Sequence, residues 1–196
     1  PKIVIVMLAL ISVTLCSLFF GNSFASTASN RSTSPAISYE YSTSLWGQTG
    51  HRVVGLIAEQ HLSKRSLKAI KSLLEGHSLA YASTIADEIK SDKAYDAYGP
   101  WHYVNYDIDK TYDPSNADDR GDIVYGIQKC IEVLSNKQSS ESDKSFHLKL
   151  LIHFIGDLHQ PLHVGRSEDQ GGNRIQVSWF SRNSNLHRVW DSDLID

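Results

Sequence analysis

The stretch His153-Phe-Ile-Gly-Asp157-Leu-His159-Gln-Pro161-Leu-His163 places three histidines and an aspartate within eleven residues. On a helix, His153 and Asp157 leave the same face one turn apart, so both side chains can reach one metal ion or two neighbouring ions. Because proline fits poorly inside a helix, Pro161 predicts that the helix ends or bends just before it. His163 then lies in a turn and points in a different direction from His153 and Asp157. The eleven-residue segment can therefore supply ligands to more than one ion.

A histidine on an apolar helix face is usually a core residue with a satisfied hydrogen bond, and we interpret His159 in this way. The pair His153 and Asp157 differs because apolar residues flank it from Leu150 to Leu158. A carboxylate buried there is tolerated only when it is paired or bound to a metal, since an unpaired buried charge is strongly destabilising. The sequence therefore favours a metal-binding role for this pair.

The composition is typical of one globular domain rather than of a disordered or repeat protein, with 41% hydrophobic and 21% charged residues in a chain of 196. From Trp46 to the last residue, 17 basic and 21 acidic side chains give a net charge of −4. An acidic surface attracts neither nucleic acid nor an anionic membrane by itself. Several bound divalent cations would reverse the local field.

The first 45 residues differ in composition from the rest. Residues 3–20 form an apolar run followed by small residues, which predicts a secretory signal peptide over residues 1–25. An uncleaved membrane anchor is the alternative, because the run is near the length of a spanning helix. Residues 26–45 are rich in Ser and Thr, which predicts a linker or pro-segment before a folded domain over residues 46–196. We therefore expect a secreted or periplasmic protein.

The two cysteines are Cys16, inside the apolar run, and Cys130, inside the domain. If the signal peptide is removed, no internal disulfide can form in the product. An exported fold must then be held by its core or by bound metal.

Beyond Trp46 the hydrophobic pattern is mainly that of helices. We predict helices from about residue 51, around 67–74, over 83–90, over 123–134, over 146–158 and from about 185. An aromatic cluster at 99–106 predicts core residues, polar segments at 107–122 and 136–145 predict loops, and 171–177 predicts a turn into a short strand or hairpin. In the last helix His187 and Asp191 repeat the spacing of His153 and Asp157, which makes a metal site more credible.

Several motifs occur in a fixed order along residues 46–196. They are Trp46-Gly with His51, Ala86-Asp87, Trp101-His102-Tyr103, His153-Phe-Ile-Gly-Asp157 with Gln160-Pro-Leu-His163, Gly171-Gly-Asn173, and Asn185-Leu-His187 with Trp190-Asp191. As a set they resemble the zinc-dependent single-strand nucleases of the S-one/P-one type, whose fold is shared with zinc-dependent phospholipase C. The resemblance implies an all-α fold with a short β-hairpin. Because family members carry more helical chain after the last ligand pair, we expect the C-terminal part of the domain to be missing from this sequence.

The resemblance also implies a cluster of three zinc ions. One ion would be held by Asp87, His102, His153 and Asp157, and a second by Trp46, His51 and Asp157. Asp157 would therefore bridge these two ions. The third ion would be held by His163, His187 and Asp191. Nitrogen and oxygen donors suit zinc, and the lack of thiolates argues against a purely structural zinc knuckle.

The activity implied is that of a secreted endonuclease that cleaves single-stranded RNA and DNA to 5′-phosphorylated products and acts as a 3′-nucleotidase. Asp87 would orient the attacking water, and Lys90, one turn on, would contact charge developing on phosphate. Tyr103, Asn105 and Asn173 fall at substrate-binding positions, and stacking on the Tyr103 ring requires an unpaired base. We expect nucleic acid and 3′-nucleotides as partners, no stable protein partner, a monomer, and no membrane contact after signal removal.

Two alternative functions remain open at the level of sequence. One is a zinc-dependent phospholipase C with the same ligands, against which Tyr103, Asn105 and Gly171-Gly-Asn173 favour the nuclease. The other is a non-catalytic module in which zinc only stabilises a small core. The resemblance further implies that Trp46 binds metal through its own amino group, so we expect proteolytic processing directly before Trp46.

Overall fold

The computed structural model describes residues 47–107 and 109–195, and this part of the chain is mostly helical. Its α-helices are α1 (Gln48–Gln60), α2 (Lys64–Leu73), α3 (Leu79–Ala82), α4 (Ile85–Ile89), α5 (Ile123–Ser135), α6 (Glu141–Asp157) and α7 (Leu186–Arg188). Segments of 3-10 helix cover Lys93–His102, Pro114–Asn116 and Pro161–His163. The predicted all-α class is confirmed.

Helix α6, the longest in the described residues, carries His153 and Asp157. Residues 150–157 are all buried, as their apolar run predicts. The predicted start at residue 146 is wrong, because residues 141–145, assigned to a loop from their polarity, belong to the helix. The Ser140 hydroxyl accepts the Asp143 N–H at 3.0 Å and caps the helix, and acidic residues in the first turn suit the helix dipole.

Helix α6 packs between two hydrophobic clusters. On one side Phe154 belongs to a cluster with Trp101 and Ile123, and on the other side Ile152 belongs to a cluster with Leu79. Phe154 is fully buried, and burial of a side chain of this size stabilises the fold by about 1.5–3 kcal/mol. Packing on both sides fixes the position of α6, and with it the ligand pair that the helix carries.

The 3-10 helix Lys93–His102 was not predicted, since its sequence indicated only a cluster of aromatic core residues. Asp92 caps it by accepting the Ala94 N–H at 2.9 Å. The Tyr98 ring contacts Trp101 edge-on, with centroids 4.9 Å apart, and Phe146, with centroids 5.5 Å apart. Aromatic packing rather than a helical repeat therefore shapes this segment, which ends at His102.

Two short strand pairs complete the described fold. Strands β1 (Val104–Asn105) and β2 (Val164–Gly165) pair in parallel, with Val104 opposite Val164. β1 follows His102 and β2 follows His163, so their pairing brings two predicted ligands side by side. Strands β3 (Gln176–Trp179) and β4 (Arg182–Asn185) form an antiparallel hairpin, which confirms the predicted hairpin.

The segment after the hairpin is less regular than the predicted last helix. Asn185 caps α7 by accepting the Arg188 N–H at 2.8 Å, but α7 has only three residues. A π-helical turn, Val189–Asp193, follows it, with Leu194 N donating to the Val189 carbonyl at 3.0 Å. Such turns are common at functional sites, and this one carries Asp191.

No helix in the described ranges 47–107 and 109–195 is long and apolar enough to cross a membrane. The predicted signal peptide over residues 1–25, the predicted linker or pro-segment over 26–45 and the candidate ligand Trp46 lie outside the described residues.

Candidate metal centre

The predicted ligands from the described residues converge on one region of the molecule. They come from α1 (His51), α4 (Asp87), the end of the aromatic 3-10 helix (His102), α6 (His153 and Asp157), the turn at Pro161 (His163), α7 (His187) and the π turn (Asp191). Donor atoms lie within 4.8 Å of one another in three groups, namely His51, Asp87 and His153; His102, His153 and Asp157; and His163, His187 and Asp191. Segments far apart in the chain thus supply closely spaced nitrogen and oxygen donors.

Asp157 lies at the centre of the region and is only 1% exposed. Its Oδ2 atom lies 3.0 Å from His102 Nδ1 and 3.1 Å from His153 Nε2. Its Oδ1 atom lies 3.4 Å from His51 Nε2 and 3.0 Å from His163 Nδ1. The two carboxylate oxygens face different sets of histidines, which is the arrangement that a bridging ligand requires.

The pKa values of this group follow from burial and from the charges around it. Burial alone would raise the pKa of Asp157, but the charge of His153 and hydrogen bonds from His102, His153 and His163 hold it well below its usual range. Burial lowers the pKa of His51 and of His102, against the opposing effect of Asp157. An anionic carboxylate and neutral imidazoles are the forms that bind metal.

His163, His187 and Asp191 form the second part of the centre. Asp191 Oδ1 lies 3.4 Å from His163 Nε2, and Asp191 Oδ2 lies 3.1 Å from His187 Nε2. Burial alone would lower the pKa of His163, but hydrogen bonds with Asp157 and Asp191 raise it to about 9. Burial alone would raise the pKa of Asp191, but hydrogen bonds from His163 and His187 lower it to about 2.

Two histidines are oriented by main-chain carbonyl groups. His153 Nδ1 lies 2.7 Å from the Ser83 carbonyl, and His187 Nδ1 lies 2.7 Å from the Gly171 carbonyl. Since a carbonyl only accepts, each Nδ1 carries the hydrogen, and each Nε2 is directed to the centre as a potential ligand. Gly171 has a φ of +58°, and a Cβ there would lie 2.3 Å from the Leu162 carbonyl oxygen. Only glycine fits at this position.

Gln160 is a part of the centre that sequence reasoning missed as a site residue. It is 1% exposed, and its side-chain amide donates to Asp191 Oδ1 at 2.5 Å. Its side-chain oxygen accepts the Leu162 N–H at 2.5 Å, which ties the turn before His163 to the π turn. The signal in the sequence was a polar residue directly before Pro161, within an otherwise apolar and ligand-rich stretch.

One oxygen of the centre supports metal binding directly. Asp87 Oδ1 is buried and has no hydrogen-bond partner in the described part of the chain. Its distance to His153 Nε2 is 3.7 Å, which is too long for a hydrogen bond. A buried oxygen without a donor is costly, and a cation held with His51 and His153 would satisfy it. Imidazole and carboxylate donors without thiolates fit zinc.

The predicted substrate residues line a pocket of about 380 Å³ beside these ligands. Its walls include Lys90, Tyr103, Asn105 and Asn173 together with the candidate ligands His102, Asp157, His163 and His187. Tyr103 is 46% exposed, so a planar group has access to it. The fold thus brings the three predicted substrate residues, and Lys90, which was predicted to be catalytic, to the candidate metal ligands.

His159 lies apart from the cluster, although it belongs to the same eleven-residue stretch. Its Nδ1 atom lies 2.7 Å from the Ile155 carbonyl, one turn back along the chain. This hydrogen bond agrees with the expected structural role of His159, although the residue is partly buried rather than in the core.

Comparison with known proteins identifies a family and relatives to which this chain is similar. Residues 46–196 match the family described as S1/P1 Nuclease. The chain is similar to Endonuclease 2 of Arabidopsis thaliana (33% identity, 77% of this chain and 56% of the relative), Endonuclease 4 of the same plant (35%, 77% and 56%) and Nuclease P1 of Penicillium citrinum (32%, 75% and 57%). The chain spans somewhat over half the length of each of these relatives.

Proposed function

Because this chain belongs to the S1/P1 nuclease family, we propose that it is a metal-dependent nuclease that hydrolyses phosphodiester bonds of single-stranded RNA and DNA. The products carry 5′-phosphates, and the enzyme also removes the 3′-phosphate of nucleotides. One observation carries the proposal, namely the pocket of about 380 Å³ in which Lys90, Tyr103, Asn105 and Asn173 share walls with candidate metal ligands. A phosphate at the ligands and a base on the Tyr103 ring are the parts of a nucleotide that such a pocket accommodates.

The proposed cofactors are three zinc ions. Asp87, His102, His153 and Asp157 hold one ion, Trp46, His51 and Asp157 hold a second, and His163, His187 and Asp191 hold the third. The buried Asp87 Oδ1, which lacks a donor, and the two-sided environment of Asp157 support this assignment. Bound zinc acidifies water at neutral pH and offsets negative charge on phosphate and on the leaving oxygen.

Asp87 and Lys90 are the proposed catalytic residues of the chain itself. Asp87 has a side chain that is 23% exposed, so one oxygen is buried among histidines while the carboxylate keeps contact with solvent, where it orients the attacking water. Lys90 caps α4 one turn later and lines the pocket. The positive charge of its ammonium group contributes to lowering the pKa of His102. The same charge offsets negative charge that develops on phosphate.

Tyr103 provides the proposed basis for single-strand selectivity. Its main-chain carbonyl accepts the Ile123 N–H at 3.1 Å, which anchors the residue while its ring stays half exposed. A base in a duplex already stacks on its neighbours, so only an unpaired base is free to stack on this ring. Asn105 and Asn173 supply amide groups for the edges of the base and for the sugar.

The remaining proposals concern the mature protein. A signal peptide over residues 1–25 directs secretion, and a protease then removes the pro-segment over residues 26–45, which leaves Trp46 as the first residue of a monomeric enzyme without a stable protein partner. N-terminal sequencing of the active enzyme is expected to begin at Trp46. Sequencing that begins at Ser26 would contradict this processing.

The experiment compares hydrolysis of single-stranded RNA, single-stranded DNA, duplex DNA and phosphatidylcholine by the purified full-length protein. We expect cleavage of the single-stranded substrates, loss of activity with a chelator and recovery with zinc, and three zinc ions per chain by elemental analysis. Hydrolysis of phosphatidylcholine alone would indicate a phospholipase C. Bound zinc without hydrolysis of any substrate would indicate a structural role for the metal.

A further inference from the structure

A second pocket, of about 460 Å³, lies next to the metal-lined pocket and has no role in the chemistry proposed above. Tyr103 and Asn105 line both pockets and so form a shared wall. We call the second one the loop pocket, because most of its remaining wall comes from residues 106–122. Its volume lies within the range of about 300–1,000 Å³ that is typical of small-molecule sites.

Hydrogen bonds to the core hold the walls of the loop pocket in place. Trp101 Nε1 donates to the Arg120 carbonyl at 2.7 Å, the Tyr112 hydroxyl donates to Asp122 Oδ2 at 2.9 Å, and Tyr106 N donates to the Gly165 carbonyl at 3.0 Å. Trp101 and Asp122 are themselves buried. The pocket is therefore preformed, and a ligand does not have to bear the cost of ordering the loop.

Aromatic rings make up one part of the pocket surface. Tyr103, which is half exposed, is joined there by Tyr106 and Tyr112, which are partly buried against the core and whose ring centroids lie 6.5 Å apart at an angle of 77°. Exposed aromatic faces bind unpaired bases by stacking, largely regardless of sequence. The rings thus suit a planar heterocycle that lies beside the nucleotide at the metal ligands.

The charge of the loop pocket excludes phosphate. Four aspartates line it, Asp107, Asp113, Asp118 and Asp122, and the cation among its lining residues, Lys110, lies 2.5 Å from Asp107 Oδ2. Tyr112 engages Asp122, and Arg120 engages Asp118. Asp113 accepts the Ser115 N–H through Oδ1, and among the described residues no cation forms an ion pair with it. Carboxylate oxygens at this place attract N–H donors and repel phosphate oxygens.

We propose that the loop pocket binds the base of the nucleotide adjoining the one whose base stacks on Tyr103, and that it prefers bases with amino groups. Adenine, cytosine and guanine present an amino group to a carboxylate, whereas the N–H of uracil or thymine is flanked by two carbonyl oxygens that a carboxylate repels. Tyr103 then separates two consecutive bases, and the acidic wall keeps the phosphate at the metal side. This inference rests on the proposed nuclease function.

The test uses single-stranded dinucleotides in which one base is constant and the other is adenine, cytosine, guanine or uracil, in both orders. We expect kcat/KM to favour the amino bases over uracil roughly tenfold, in one of the two orders, as a good contact to a base edge provides. Asp113→Asn keeps the oxygen that caps Ser115 but removes the charge, and is expected to reduce this preference roughly threefold. Asp119→Asn, an exposed aspartate of the same loop outside the pocket lining, is the matched control and leaves the preference unchanged.

A second variant tests the stacking surface. Tyr106→Ala is expected to lower kcat/KM for dinucleotides roughly tenfold relative to kcat/KM for a nucleoside p-nitrophenyl phosphate, which has only one base. Because both substrates are measured on the same preparation, a general loss of folded protein cancels in the ratio.

The outcomes separate this inference from the function on which it rests. If the zinc-loaded enzyme hydrolyses neither substrate, the proposed function fails and the inference fails with it. If it hydrolyses both substrates but shows no base preference in either order, or if Asp113→Asn and Asp119→Asn behave alike, the loop pocket is not a base site although the nuclease function stands.

Discussion

The candidate metal centre is built in two different ways. The helix-borne half, His51, Asp87, His102, His153 and Asp157, comes from helices whose positions are set by hydrophobic packing on α6. The turn-borne half, His163, His187 and Asp191, comes from a 3-10 turn, a three-residue helix and a π turn. Its ligands are positioned by hydrogen bonds from Gln160 and to the Gly171 carbonyl.

Because their ligands are held in different ways, the two halves should respond differently to substitution of neighbouring residues. A ligand on a packed helix is held mainly by many small contacts, and the outer contact of His153 is to the main-chain carbonyl of Ser83, which no side-chain substitution removes. A ligand on a turn depends on one or two hydrogen bonds, and outer contacts of that kind typically affect metal affinity about 10–100-fold. We therefore expect substitutions of non-ligand residues to weaken the turn-borne half selectively.

The largest effect is expected from Asp157→Asn, because Asp157 contacts both halves. The amide of Asn removes the anionic oxygens, so the affinity for the two zinc ions proposed to share Asp157 and the cleavage of single-stranded RNA are expected to fall by more than the roughly 100-fold seen for outer contacts. His159→Ala, in the same stretch, is the matched control and is expected to leave both quantities nearly unchanged. Equal losses in the two variants would contradict the ligand assignment.

Gln160→Leu is expected to weaken only the turn-borne half. The variant removes the donor to Asp191 Oδ1, and the apolar Leu side chain has a similar size. The affinity for one of the three proposed zinc ions is therefore expected to fall about 10–100-fold. Zinc titration with a competing chelator resolves that ion from the others. Gln128→Leu, at an exposed position of α5, serves as control. Uniform weakening of all three ions by Gln160→Leu would show that the halves are not independent.

Gly171→Ala is expected to displace His187 through the main chain. The added Cβ would lie 2.3 Å from the Leu162 carbonyl oxygen, so the carbonyl that orients His187 must move. We expect an approximately tenfold loss of kcat/KM at limiting zinc, recovered in part at high zinc. Gly76→Ala is the control, since Gly76 also has positive φ but nothing lies within 4 Å of its added Cβ. A similar loss of activity in Gly76→Ala would mean that backbone strain alone explains the result.

The smallest effect concerns the stability of the metal-free protein as a function of pH. The pKa of His163 is raised from 6.5 to about 9, so its stabilising contribution is fully present below pH 6.5 and is lost as the pH rises through 9. The pKa of Asp191 is lowered from 3.8 to about 2, so its contribution is present above pH 3.8 and is lost as the pH falls through 2. Between pH 6.5 and 9 the free energy of unfolding is expected to fall by an amount on the order of 1 kcal/mol.

Denaturant unfolding of the chelator-treated protein measures this loss. Burial alone would lower the pKa of His153, but Asp157 raises it. His153 therefore acts in the same direction as His163, so the informative comparison is between the wild type and His163→Gln. The variant is expected to lose less stability than the wild type over this range. An identical pH dependence would assign the alkaline loss to the helix-borne half.

Local spacing in the sequence identified two candidate ligand pairs and most helices, whereas the remaining candidate ligands came from the family resemblance. The interval of four residues in His153–Asp157 and in His187–Asp191, the apolar run around Asp157 and the position of Pro161 act between near neighbours, where helix geometry alone determines which side chains meet. His159 was set apart from the ligands because a lone histidine on an apolar helix face is usually structural, and its hydrogen bond to the Ile155 carbonyl agrees with that interpretation. The start of α6 was misplaced because a polar first turn resembles a loop, and the 3-10 helix ending at His102 was missed because packing between aromatic rings, not an apolar repeat, defines it.

Only the tertiary structure decided how the ligands are held and what surrounds them. The contact of His153 with the Ser83 carbonyl and that of Gln160 with Asp191 join residues 70 and 31 positions apart. Contacts between such distant residues depend on how the helices pack, which local patterns do not specify. The shared wall of Tyr103 and Asn105 between the two pockets arises in the same way, because the loop over residues 106–122 and the ligand-bearing segments meet only in the folded chain. The sequence by itself thus determined which side chains can bind metal, and the fold determined their partners, their orientation and the access of a substrate.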